Sequence, residues 1–508
     1  MSCVLAQLQF IIVVVWCGCI MYALVLLVLL GVVYHVYCWW KPRSPPIFPG
    51  QLPFIGHGHI FLKYRNDMWS YLKSIGEYVL EHGGIIQFRA GPHIVYAVND
   101  PEVAGMIANT CLDKPYYYKF MSDGIGNGLV TLNGDMWKIH HKLLNPAFSQ
   151  KVLNTYLNEM DVQGQNLVSQ LTTVAEKGPV DITDFLFKHI LRTVSRTSLR
   201  LEAKDQDMID NDFGEAVEEI GNIIIHRALR PMLHLSFLFN RTAMKRRQVE
   251  LIRDNRELLD HIIQKRKSDL EVTKDTVNNK DDFVPGKFKP ILDLLLHLSD
   301  EQYVLSDDEI RAHLNTFVAA SFDTTSSALQ TVLLALGSYP DVQERVFNEI
   351  QNVFDNIEEL TKHDLTKLVY LEAVIKEVLR VYNIIPLVAR KLDTDIVLPK
   401  YTLRAGSSCI LSIYGLHRHS SWGPDAREFK PERWLNPDTL PTNPNLYAPF
   451  GIGKRICIGR QYAMMSMKTS LIHIVRKFHI SGDISTLKWN FEVVLKAKTP
   501  LITLTLRS

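Results

Sequence analysis

A single cysteine set among three glycines constrains this chain more than any other feature. Phe450-Gly451-Ile452-Gly453-Lys454-Arg455-Ile456-Cys457-Ile458-Gly459 runs into Arg460-Gln461-Tyr462-Ala463-Met464-Met465, which reads as a helix start. Gly451, Gly453 and Gly459 let the backbone turn its N–H groups toward the sulfur, and a helix N-terminus stabilises an anion there. Cys457 has no CxxC partner, which argues against a zinc knuckle or a dithiol redox site. A thiolate bonded to one metal, with Arg455 nearby for a carboxylate or phosphate, is the logic of an axial haem ligand. The bland alternative is an inert cysteine buried in a glycine-rich turn. A chain of 508 residues is ample to enclose a large cofactor.

Composition excludes little but points one way. Hydrophobic residues make up 47% and charged residues 22%, with a formal net charge of +2, so no global basic field argues for nucleic acid. The seven cysteines show no framework spacing, and only Cys111, Cys409 and Cys457 lie beyond residue 40, a usage that fits a reducing compartment. Residues 1–40 contain no Lys, Arg, Asp or Glu, and 10–33 is almost unbroken apolar sequence. That is long enough for a transmembrane helix, and it lacks the basic start of a signal peptide. Lys41 and Arg43 follow, which predicts a cytosolic body, with Trp39 and Trp40 at the interface. Residues 41–50 are a proline-rich hinge, and 51–508 are expected to form one mainly α catalytic domain with a small β-rich part.

The periodicity predicts strands over 84–91 and 93–98, mostly helix over 99–268 and a polar mobile loop over 269–289. Ser306 to Glu309 forms a capping box before a long helix, roughly 307–338. Further helices begin at Pro340 and cover about 366–381, and strand character returns at 396–398 and 408–413.

The pattern completed by Phe450, Gly453, Arg455, Cys457 and Gly459 resembles the haem-binding signature of the cytochrome P450 superfamily. Ala319-Ala320-Ser321-Phe322-Asp323-Thr324-Thr325 resembles that family's oxygen-activating helix motif. An acid beside a threonine there suits proton delivery to dioxygen, while a threonine back-bonded to its own helix is the bland reading. Ser321 replaces the usual glycine. Ala320 stands where many members of the family-4 clan carry a haem-esterifying glutamate, so the resemblance implies non-covalent haem b (heme b, iron–protoporphyrin IX).

Glu377 and Arg380 lie three residues apart on one helix face. With Arg433 of Pro431-Glu432-Arg433-Trp434, they resemble the family's buried Glu/Arg/Arg network, a structural device. Glu250 and Arg253 match the same local motif in a charged helix, where a solvated pair is the sensible reading. Haem propionates are assigned by resemblance to Arg455, Arg390 and Trp137. His141 takes the place of a customary arginine, and Lys142 is the alternative donor. Neither the His57/His59, His140/His141 and His417/His419 pairs nor Gly124-Ile125-Gly126-Asn127-Gly128 reads as a metal site or a dinucleotide fingerprint.

With no Rossmann signature, electrons are expected from a separate protein; the resemblance implies NADPH–cytochrome P450 reductase drawing on NADPH, with cytochrome b5 as a further partner. Lys138, His140, Lys142, Lys454 and Arg460 are candidates for a basic docking patch. Substrate contacts are placed by resemblance in 113–132, 223–239, 313–324, 384–390 and 499–501. The apolar 223–239 stretch reads equally as core or as a membrane-dipping surface.

Lys289 to Leu296 and Tyr339 to Glu344 are similar to the microsomal family-4 clan, particularly its insect branches. The resemblance implies a monooxygenase of the endoplasmic reticulum membrane acting on a lipophilic substrate: a fatty acid, hormone, pheromone or xenobiotic. Two alternatives are a haem-thiolate isomerase or dehydratase and a non-catalytic haem-binding membrane protein.

Overall fold

The computed structural model describes residues 44–507 apart from 65–66, 92, 203–212, 277–288, 301–304 and 355–359, together with 16, 18, 20–33 and 36. The principal helices are α1 (Met68–Glu81), α2 (Pro101–Thr110), α3 (Tyr118–Ile125), α4 (Gly134–Leu144), α5 (Leu157–Thr172), α6 (Thr183–Ser198), α7 (Phe213–Ala228), α8 (Ala243–Thr276), α9 (Asp307–Ser338), α10 (Pro340–Phe354), α11 (Val369–Val381) and α12 (Arg460–Lys477). The strands are β1 (Ile85–Ala90), β2 (His93–Val98), β3 (Val180–Asp181), β4 (Leu387–Lys391), β5 (Ser408–Ser412), β6 (Phe478–Gly482), β7 (Lys488–Phe491), β8 (Leu495–Lys498) and β9 (Leu501–Leu506), besides a two-residue pair at 396–397 and 402–403. The fold is mostly helical with a small β part.

Helix α9 is the axis of the molecule. Its start is the reciprocal cap foreseen from sequence, with Ser306 accepting from the Glu309 backbone and the Glu309 carboxylate accepting from Ser306. Along its length Ile310, Leu314, Phe317, Val318, Phe322, Leu329, Val332 and Leu336 are buried; a fully buried side chain of this kind contributes roughly 1.5–3 kcal/mol. It packs against α6 and β6. The last contact needs Gly337, where a Cβ would lie 2.8 Å from the Gly482 nitrogen. Phe322 meets Phe187 of α6 edge-on at 4.5 Å between centroids.

The larger sheet has the order β1-β2-β5-β4. Its β2/β5 pair is parallel and the other two pairs are antiparallel. Strand β9 lies between β3 and β6 in a second sheet, and β7 and β8 form a C-terminal hairpin.

Two expectations are revised. Residues 269–276 continue helix α8 instead of opening a loop. Lysine, glutamate and leucine propagate helices well whatever their polarity, Leu270 packs on the core, and Arg266 Nε reaches Asp293 at 2.7 Å. The remainder of the expected loop falls mainly in 277–288, outside the described residues. The helix expected over about 366–381 is two, Lys362–Lys367 and α11. Residues 1–15, 17, 19, 34–35 and 37–43 of the expected anchor and hinge, with Trp39, Trp40, Lys41 and Arg43 among them, also lie outside the described residues. Residues 20–33 are helical with apolar side chains exposed. Among the described residues, no helix is long and apolar enough to cross a membrane.

Candidate functional site

The cysteine loop is shaped by two left-handed glycines, Gly451 at φ 78° and Gly453 at φ 69°. Gly453 is also pressed on α2, where a Cβ would lie 2.6 Å from the Ala108 carbonyl oxygen, so no other residue fits. The Cys457 N–H donates to the Phe450 carbonyl at 2.8 Å and closes the loop. Phe450 packs on the main core. Cys457 keeps accessible surface although protein surrounds it, which is the position of a side chain facing an internal cleft. Burial pushes its thiol up, while the Gly459 N–H and the Arg460 guanidinium favour the thiolate.

Beside this loop the chain gathers cations in its interior. Arg455 lies over the Trp137 ring at 4.8 Å and donates to the Leu132 carbonyl at 2.5 Å. Arg390, 2% exposed, donates to the Ala389 carbonyl at 2.9 Å. Lys114 sits 4.5 Å from the centre of the Tyr118 ring. Burial, together with repulsion from Arg390 and Arg455, holds Lys114 well below its usual range. Both Arg390 Nε and Arg455 Nε are buried without a hydrogen-bond partner.

Two buried guanidinium groups with orphaned Nε donors, joined by the Lys114 amine, match the two carboxylates of a haem, and the thiolate donor matches its iron. The residues fit the group. His141 lies against Trp137 with ring centroids 4.8 Å apart and planes tilted by 33°, and burial together with Arg455 keeps its imidazole below the usual value. Both effects disfavour its charged form. Lys114, from a segment the sequence assigned to substrate contact, brings an amine close to Arg390 and Arg455. No local signal marked it, since a lysine before a proline is ordinary. Asp113 organises the neighbourhood by accepting from Gly134 N, the first residue of α4, at 2.9 Å.

The middle of α9 is open where its flanks are closed. Ala319, Ala320, Ser321, Asp323 and Thr324 retain accessible surface within an otherwise buried run. The Thr324 hydroxyl donates back to the Ala320 carbonyl at 2.7 Å, and the Ser321 hydroxyl to Phe317 at 2.5 Å. The helix is α throughout, so the serine is accommodated by an internal back-bond. The Asp323 carboxylate is 3.2 Å from Lys496 on β8, a partner that sequence reasoning missed because the two are remote in the chain. Burial raises Asp323 above the ordinary carboxylate range against the pull of Lys496.

Glu377, Arg380 and Arg433 come together in full. Arg380 places two N–H groups on Glu377 at 2.8 and 2.9 Å, and Arg433 Nε donates to it at 2.9 Å. The Trp434 indole and the Lys430 backbone N–H add 2.9 and 3.0 Å contacts. Arg380 also donates to the carbonyls of His417, Ala426 and Glu428. All three charged residues are buried, and each has the partners that burial demands. The Glu250/Arg253 look-alike separates, with Arg253 on Asp254 at 2.9 Å and Arg247 3.5 Å from Glu250.

His140 leaves the expected docking patch. One helical turn after Trp137, it turns inward, where its Nδ1 lies 2.8 Å from His313 Nε2 of α9. Lys138, Lys142, Lys454 and Arg460 are exposed, with Lys138 paired to Asp135 at 3.0 Å. His57 bridges Phe48 and Arg89, and His417 bridges Arg380 and Ala448; both are structural. The 223–239 stretch divides. Ile223, Ile224 and Phe239 are core, whereas Met232, Leu235 and Phe237 are exposed.

Comparison with known proteins agrees with this geometry. The family model described as Cytochrome P450 matches residues 45–504. "Cytochrome P450 4V2" of Rattus norvegicus is 30% identical over 453 residues, 88% of this chain and 86% of the relative. "Cytochrome P450 4c21" of Blattella germanica is 28% identical, covering 86% and 88%. "Cytochrome P450 4d8" of Drosophila melanogaster is 30% identical, covering 86% and 97%. The similarity thus extends to family-4 members, insect ones included. A cysteine loop, a cationic cradle and an open α9 midpoint on a chain matched almost from end to end place it in the cytochrome P450 family, the haem-thiolate monooxygenases.

Proposed function

We propose that this chain is a membrane-anchored monooxygenase that inserts one oxygen atom of dioxygen into a lipophilic substrate, with NADPH electrons arriving through NADPH–cytochrome P450 reductase. The observation that carries the reading is the cradle of Arg390, Arg455 and Lys114 beside Cys457, with buried guanidinium donors that lack partners. Bound haem supplies dioxygen activation, which a thiolate ligand promotes by electron donation. The Cys457 thiolate is assigned as the iron ligand, steadied by the Gly459 N–H. Arg455, Arg390 and Lys114 are assigned to the carboxylates, with Trp137 as their apolar wall and Phe450 holding the loop.

Thr324 and Asp323, in the open stretch of α9, are assigned to proton handling. The Thr324 hydroxyl, now held by the Ala320 carbonyl, is the group that would reorient as a donor, and Asp323 beside it is the group that would hold a proton. Glu377, Arg380 and Arg433 brace the wall behind the loop.

Residues 1–40 are assigned as the anchor because they carry no charge and include the exposed apolar helical residues 20–33. Exposed Met232, Leu235 and Phe237 suit contact with the bilayer, where a lipophilic substrate would be met. The catalytic body, 51–508, follows the hinge at 41–50 on the cytosolic side of the endoplasmic reticulum. Exposed Lys142, Lys454 and Arg460 suit an acidic reductase face.

The test is the absorption of the reduced, carbon monoxide-treated protein. A strongly red-shifted Soret band that Cys457→Ser abolishes is the expected result; an unshifted, imidazole-type spectrum in the unmutated chain would refute the assignment. NADPH-dependent oxidation of lauric acid, used as a probe with reconstituted reductase, then examines turnover.

A further inference from the structure

Lys496 is the meeting point of three carboxylates from three different segments. Its Nζ lies 2.6 Å from Glu218 of α7, 3.2 Å from Asp323 of α9 and 3.3 Å from Glu492 in the turn of its own hairpin. An ammonium has three N–H donors; one is given to Glu218 in a hydrogen bond, while Asp323 and Glu492 lie within ion-pair distance. Asn490 Nδ2 donates to the Glu492 carboxylate at 2.8 Å and steadies the turn. The cluster runs inward from solvent. The Glu218 side chain is 41% exposed, whereas Lys496 and Asp323 are each 20% exposed. Its inner member is the residue next to Thr324 in the open stretch of α9.

A bare structural ion pair needs one partner on each side. Here one positive charge is divided among three negative ones, so any movement of α7 or the hairpin redistributes the cation's attraction and changes how much reaches Asp323. We propose that Lys496 is the positioning residue for Asp323: its shared ammonium sets the orientation and proton affinity of that acid, and ties both to the seating of α7 and the C-terminal hairpin. The inference rests on the reading of Asp323 as the proton-holding acid.

The electrostatics point the same way. Burial raises Asp323, Lys496 draws it down, and Glu218 and Glu492 push it up again. Burial lowers Lys496, but Asp323, Glu218 and Glu492 outweigh it and hold the amine above its usual range. Lys496 therefore stays an ammonium and does not itself shuttle the proton. Among the described residues, the charged groups facing Asp323 are Lys496 and Glu492 from the hairpin and Glu218 from α7. Opposite effects of removing the cation and an anion are the signature. Loss of Lys496 raises the proton affinity of Asp323; loss of Glu218 leaves more of Lys496 for Asp323 and lowers it.

The experiment uses the full-length holoenzyme with NADPH–cytochrome P450 reductase, with no added substrate and with lauric acid as a probe. Hydrogen peroxide released per NADPH consumed is measured against pH, because mishandled protons divert reduced oxygen to peroxide. Lys496→Met should increase the peroxide share and move its inflection upward by about one pH unit or more. Glu218→Gln should move it downward, and Lys496→Arg should restore the parent profile. Unchanged profiles in both Lys496→Met and Glu218→Gln, with Asp323→Asn altered, overturn the inference alone. An unchanged profile in Asp323→Asn overturns the reading of Asp323 as well.

A measurement independent of turnover is acetylation by acetic anhydride, followed by mass spectrometry. Lys496 should react at least about tenfold more slowly than exposed Lys488, the effect of one unit of amine pKa, and faster once Glu218→Gln removes a partner. Equal rates for the two lysines would also overturn the proposal.

Discussion

At the scale of single residues, the chemistry of this protein is a matter of where buried charge is tolerated. Lys114, Arg390 and Arg455 repel one another in the interior, an arrangement that an anionic partner would relieve. Lys114→Ala should therefore weaken haem binding roughly ten- to a hundredfold, the worth of a hydrogen bond to a charged group at about 1.5–3 kcal/mol. His141→Ala should change it by less than about threefold, because burial and Arg455 disfavour a charge on its ring. Spectroscopic haem titration of the two apoproteins decides between them, and a larger effect at His141 would return the propionate role to that residue. Glu377 is the opposite case, a charge with every partner present. Glu377→Gln should destabilise the protein by about 3–5 kcal/mol, since two buried guanidinium groups lose their common counter-charge. Urea unfolding of the haem-loaded protein measures it, and a loss below about 1 kcal/mol would contradict the role of the network.

At the scale of elements, ion pairs join pieces of chain that are remote in sequence. Arg427 reaches Glu77 of α1 at 2.5 Å, and the Tyr414 hydroxyl donates to the same carboxylate. The Arg427 hydrogen bond is foremost in lowering Glu77 to about 2. A carboxyl held below its unfolded value stabilises the fold fully above that unfolded value, and the contribution is lost as pH falls toward the folded one. The melting-temperature gap between the parent protein and Glu77→Gln should be full near neutral pH. It should narrow from about pH 4.5 downward toward about 2. A gap independent of pH in thermal melts across that window would assign the effect to packing.

The elements also show how far sequence patterns reach. The Ser306 cap and the length of α9 were legible because capping boxes and helical period are local. The continuation of α8 through 269–276 was not, because a polar run without period looks like a loop until a neighbouring helix supplies Asp293 for Arg266 and a bed for Leu270.

For the whole molecule, the decisive questions are attachment and partner. Removing residues 1–40 should release the protein from membranes into the soluble fraction while the red-shifted carbon monoxide band persists, since the cysteine loop and the cationic cradle lie wholly in the described body. Sedimentation of expressed membranes tests this. Continued tight pelleting would shift the attachment to the exposed Met232, Leu235 and Phe237 surface. A body held by both would pellet only in part.

Much of the functional centre was determined by the sequence alone. Cys457, its flanking glycines and Arg455 occupy one short loop, so covalent connectivity already brings them together. Glu377 and Arg380 share a helical turn, and Arg433 arrives on a compact Pro-Glu-Arg segment. Tertiary structure decided the rest, because long-range contacts leave no local signature. Lys114 becomes a cradle cation only when the segment before α3 folds beside Arg390 and Arg455. His140 turns from a surface cation into a buried partner of His313 once α4 meets α9. Lys496, unremarkable in its strand, acquires a role only when α7, α9 and the hairpin bring three carboxylates to a single ammonium.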